Sequence, residues 1–123
     1  MIVAAAGPIS NMLQACAGAL ILHGLLRVSD PQLFETGARY GLVAETILIF
    51  VRTNLVLAFF NLIPVPPLDG GNVLLGLLPP RLAYSVGRLR EFGFVVLYAL
   101  MFTGFVSAWI VPPTNFFARI LLP

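Results

Sequence analysis

The chain has 123 residues, of which 59% are hydrophobic and 10% charged, against about 25% charged in a soluble domain. With a mean hydropathy of +0.98, it cannot cover a water-facing surface with polar groups, so the sequence excludes an ordinary soluble protein and points to one membrane domain over residues 1–123. The net charge of +2 comes from arginine alone, placed near segment ends without clustered aromatics, which argues against a nucleic-acid partner.

From the first residue, Ile-Val-Ala-Ala-Ala-Gly-Pro follows Met1 with no basic stretch, so no secretory signal peptide is expected. The sequence reads as though it begins partway through a membrane domain. A bilayer core of about 30 Å needs roughly 20 helical residues, and three apolar segments reach that length. The first runs from about Ile9 to Val28, with Pro8 in its first turn, where the missing N–H is harmless. It contains Cys16, which has no second cysteine to pair with and reads as a small packing residue. The polar stretch at 29–41 reads as an exposed loop or short interfacial helix. The second span runs from about Leu42 to Leu62 and stops at Pro64, Pro66 and Pro67. A short helix is expected from Asn72 to Leu78, ended by Pro79-Pro80. Residues 81–91 place Arg81, Arg88 and Arg90 on a polar segment. The third span, about Phe92 to Val111, should end at Pro112-Pro113, leaving an interfacial tail. The expected fold is all-α and integral to the membrane, with about three spanning helices and a proline-broken helix.

Basic residues set orientation more than acids do. The 79–91 connection holds three arginines and Glu91, against Arg27 and Arg39 with Asp30, Glu35 and Glu45 in the 27–45 connection. The expectation is that 79–91 faces the cytoplasm.

The polar break Asn61–Gly71 (NLIPVPPLDGG) is where chemistry is expected. Non-helical backbone at membrane depth is tolerated only where it is buried in protein or lines a cavity. A carboxylate there costs about 2.5–3.5 kcal/mol on insertion scales, which marks Asp69 as a functional candidate. It has a structural reading as well, capping the helix that follows. A metal is chemically suited to Asp69, since Gly70 and Gly71 leave room for a cation. A catalytic zinc needs three protein ligands and one open position, so one carboxylate is not a site. The single histidine, His23, reads as a hydrogen-bonded packing residue.

Asn61–Gly71 resembles the N-x-x-P-x-x-x-L-D-G motif of the site-2 proteases, the intramembrane zinc metalloproteases. Ala6-Gly7-Pro8-Ile9-Ser10-Asn11 is similar to that family's A-G-P-x-x-N motif on the preceding helix. The two occur in the family's order, and the resemblance covers nearly the whole chain as the family's C-terminal half. It implies a zinc endopeptidase with Asp69 as the carboxylate ligand. Asn61 would hold the substrate strand or stabilise the developing oxyanion, a task suited to a neutral amide donor. Pro64, Pro66 and Pro67 would shape a break beside which a substrate segment lies extended. Gly7, Pro8 and Asn11 match the neighbouring helix's motif, in which the small residue would permit close packing and Asn11 would bond exposed backbone near the break. The implied surroundings are the lipid bilayer of a bacterial inner membrane, with transmembrane proteins as substrates.

The sequence departs from the family in one respect. The family's H-E-x-x-H helix, with two histidine ligands and the water-activating glutamate, precedes A-G-P-x-x-N, and no H-E-x-x-H occurs in these residues. The 123-residue chain alone is therefore expected neither to hold zinc tightly nor to cleave peptides, and a partner segment carrying H-E-x-x-H would be needed. The alternative is an inert pseudoprotease or transmembrane interaction module. A transporter fragment with an ion at Asp69 would explain the broken helix but not both motifs. Arg52 and Asn54 are expected to face the bundle interior. The phenylalanines and Trp109 should face lipid, and Gly18, Gly24, Gly87, Gly93 and Gly104 should be packing positions.

Overall fold

The structure of the chain, a computed structural model, describes residues 2–28 and 39–123. Most of the expected polar connection at 29–41 lies outside the described residues. Among the described residues six α-helices follow in order: α1 (Ile2–Val28), α2 (Arg39–Asn61), α3 (Asp69–Leu77), α4 (Pro80–Gly87), α5 (Gly93–Phe102) and α6 (Phe105–Leu121), with a 3₁₀ turn at Arg88–Phe92 between α4 and α5. No strand occurs among the described residues.

α1 and α2 are each long and apolar enough to cross a membrane, and the segment from α4 to α6 makes a third span if its bent halves are taken together. Apolar side chains are spread around both helices without a distinct polar face, as expected when protein covers one side and lipid the other. Leu13, Leu20, Ile49, Phe94, Phe102 and Phe116 are all exposed. In water such a surface would aggregate, whereas in a bilayer it is solvated. The chain is an integral membrane protein.

The core lies between α1 and α2, where Ala15 and Ala19 meet Val51 and Leu55. Gly18 faces Val51 and Phe50 so closely that a Cβ there would crowd both. Small residues at a crossing let two backbones approach, and dispersion then holds them. The pair is antiparallel, since Gly18 meets the middle of α2 while Gly7 meets Asp69, beyond its C-terminal end.

Several boundaries differ from expectation. α1 begins at Ile2, so Pro8 lies inside the helix and is buried. Pro8 removes only its own bond to the Ala4 carbonyl, and the alanine run around it favours helix enough to carry through. The third span is not straight. It bends by 75° between Phe102 and Phe105, where Gly104 adopts φ +78°, a conformation glycine reaches without steric cost. Pro112 and Pro113 lie inside α6 rather than ending a helix. The expected tail is helical to Leu121, with Phe117, Ala118 and Leu121 packed against the core.

Candidate functional site

The break between α2 and α3 is built from its own backbone. Leu62, Ile63, Val65 and Leu68 donate their N–H groups to the carbonyls of Ala58, Phe60, Ile63 and Val65 at 3.2, 3.1, 2.8 and 3.0 Å. A proline-rich segment has few donors to satisfy, and these turns satisfy those it has without a helix. Ile63 and Pro66 are buried, Pro64 and Pro67 are half-buried, and the Pro66–Pro67 peptide is cis.

The loop is pinned from two sides. Gly70 and Gly71, buried in the first turn of α3, lie so close to Leu62, Ile63, Val65 and Pro66 that a Cβ on either would overlap loop backbone. Gly93, at the start of α5, meets the Pro66 carbonyl and the Pro67 ring in the same way. The glycines therefore let α3 and α5 close on the break.

Asp69 is the first residue of α3 and half-buried. The expected cap is not made. Leu68 occupies the N-cap position with extended geometry, and no side chain bonds the helix start. The carboxylate still gains from the helix dipole, whose positive end lies in the first turn. It is turned toward α1, where its Oδ2 lies against Gly7, in the space a Cβ would take. The two motifs, sixty-two positions apart at Gly7 and Asp69, are thus brought into contact.

The remaining expected residues lie around this contact. Asn61 is the last residue of α2 and half-buried, and Asn11 is half-buried one turn beyond Gly7 on α1. His23 is elsewhere. Its Nε2 donates to the Leu121 carbonyl at 3.0 Å, joining α1 to the end of α6, the packing role expected of it. Asn54 is buried and donates to the Phe50 carbonyl at 2.9 Å, but Arg52 is exposed. Two residues apart on a helix are separated by about 200°, so both could not face the interior. Of the expected packing glycines, Gly18 and Gly93 are in close contact, whereas Gly24, Gly87 and Gly104 have open space around them. Thr114, passed over in the sequence, is 8% exposed and its Oγ1 has no hydrogen-bond partner. Its burial depends on α6 continuing through Pro112-Pro113, which no local signal gives.

As a metal site the arrangement is partial. Among the described residues no three His, Cys, Asp or Glu side chains come together. The open carboxylate beside glycine fits one ligand position of a zinc site but not a complete one.

Known proteins give the same direction. The family model of peptidase family M50 matches residues 22–104, which contain the whole break. A protein of Bacillus subtilis (strain 168) named "Putative zinc metalloprotease YwhC" is 32% identical over 117 residues, covering 94% of this chain. The chain spans about half (51%) of that relative's length. No solved structure matches the chain.

Proposed function

Since the chain belongs to peptidase family M50, the site-2 protease family, we propose that it is the aspartate-bearing part of a membrane-embedded zinc endopeptidase acting on transmembrane proteins. The observation that carries this reading is the Asp69 carboxylate held against Gly7, at a helix start that no side chain caps.

In this reading Asp69 supplies one zinc ligand, and a segment bearing H-E-x-x-H supplies the two histidines and the general base. When bound, zinc lowers the pKa of a coordinated water toward about 7. The residues of this chain do the positioning. Gly7 leaves the space in which the carboxylate lies, and the Leu68–Asp69 helix start fixes its direction. Asn61, at the end of α2, offers an uncharged amide to a substrate carbonyl. Pro64, Pro66 and Pro67 keep the break from becoming helix, so a substrate strand can lie extended beside it. The membrane is taken as a bacterial inner membrane with 79–91 cytoplasmic, supported by the exposed Arg81, Arg88 and Arg90.

A second reading is an inert module that keeps the packing and binds transmembrane partners. Equilibrium dialysis separates the two when the chain is purified alone and with a membrane segment bearing H-E-x-x-H. One zinc bound per pair, with none in the chain alone, is the expected result. No zinc in either sample would favour the inert module.

A further inference from the structure

A second polar feature lies on the outer side of α2. A cleft of about 670 Å³ between α2 and α6 is lined by Arg52, Thr114, Asn115 and Arg119, with Val56 and Val111 among its apolar walls. Two guanidinium groups, one amide and one hydroxyl share one hollow, and no acidic side chain lines it among the described residues. Among the described residues the Thr114 hydroxyl, in the wall of this hollow, is buried without a partner.

Depth decides what could fill it. Arg52 lies nine residues before Asn61 and eleven after Gly41, the ends of the α2 span. At 1.5 Å per residue that is about 13.5 and 16.5 Å, the middle of a bilayer core of about 30 Å. A lipid phosphate sits at the interface, further away than an arginine side chain reaches. An arginine at mid-depth costs about 2.5–3.5 kcal/mol on insertion scales unless it is paired. The group that can reach it there is an acidic side chain carried on another membrane-spanning helix. A carboxylate accepts two parallel N–H bonds from a guanidinium, and its remaining lone pairs suit the Asn115 amide.

We propose that the α2–α6 cleft docks a transmembrane helix bearing an Asp or Glu near its midpoint, recognised by Arg52 and Arg119. This does not depend on the role of Asp69, which lies beyond the far end of α2. The apolar walls take the partner's aliphatic side chains, and the paired charges set its depth in the membrane.

The test uses the full 123-residue chain, fluorescently labelled, in phosphatidylcholine vesicles at pH 8. The probes are two synthetic polyleucine helices with a single central Glu or a single central Gln. Energy transfer should show the Glu peptide binding about tenfold more tightly than its Gln counterpart, within the range of polar interhelical contacts in membranes. R52Q and R119Q should each abolish most of that preference, and R52K should keep part of it, with helical content unchanged by circular dichroism. Equal binding of the two peptides, or a Glu preference that survives both glutamine variants, would overturn the proposal. So would phosphatidylglycerol displacing the Glu peptide from wild type, because the cleft would then take a lipid phosphate. Pro123 also lines the cleft, so a chain extended by Gly-Gly is measured beside wild type. A Glu preference seen only in the extended chain would assign the cleft to the chain's own carboxylate and overturn the proposal too.

Discussion

At the scale of single residues, the decisive contact is between a side chain and the lack of one. Gly7 leaves room for the Asp69 carboxylate, and what a Cβ would meet there is the end of a side chain that can rotate away. G7A should therefore disturb the site more than the fold. Replacing a helical glycine by alanine gains about 0.5–1 kcal/mol of helix preference, which offsets the cost of moving the carboxylate. Thermal unfolding in detergent should change little, while zinc bound in the completed site falls severalfold. Gly93 is the opposite case, because its Cβ would meet the backbone of Pro66, which cannot rotate away. G93A should cost about 1–3 kcal/mol through overpacking, whereas G24A, with open space around it, should be neutral or slightly stabilising. Unfolding of the two variants side by side checks the contrast. At His23, the bond to the Leu121 carbonyl makes the residue a strut. H23A should lose about 0.5–1.5 kcal/mol and leave zinc binding in the completed site unchanged; a loss of zinc would make it a ligand instead.

At the scale of elements, the sequence was most readable where one residue type has one physical consequence. Three prolines within four positions cannot remain helical, so the break at 64–67 was legible, as was the short helix after it to within a few residues. The motif that begins at Ala6 and the one ending at Gly71 could be seen as related, but no spacing rule says that Gly7 touches Asp69. That contact depends on the antiparallel pairing of α1 and α2 around Gly18 and on the loop closing over Gly70 and Gly71. Proline also misled. Pro8, Pro112 and Pro113 have the local signature of boundaries and lie inside helices, because a membrane helix tolerates the loss of single backbone bonds when leaving the helix would expose many more. The real break in the third span is Gly104, whose positive φ a sequence does not announce. Polarity alone sends Arg52 inside with Asn54, but helix geometry sends residues two apart to different faces, and Arg52 is exposed.

At the scale of the whole molecule, composition alone gave the solvent. A chain whose helices expose Leu20, Phe94 and Phe102 is stable only in lipid or detergent. Its orientation is open to direct measurement. With Cys16 replaced by serine and a new cysteine introduced as R88C, a membrane-impermeant maleimide should label spheroplasts poorly and inside-out vesicles well if 79–91 is cytoplasmic. Labelling of intact spheroplasts would reverse the topology. In the proposed reading the molecule supplies one corner of a metal site, so the central question is whether Asp69 binds zinc. Zinc per chain, measured by elemental analysis after co-purification with a segment bearing H-E-x-x-H, answers it most directly. One zinc per wild-type pair and a small fraction of one in D69N would establish Asp69 as a ligand. Full zinc occupancy in D69N would contradict it.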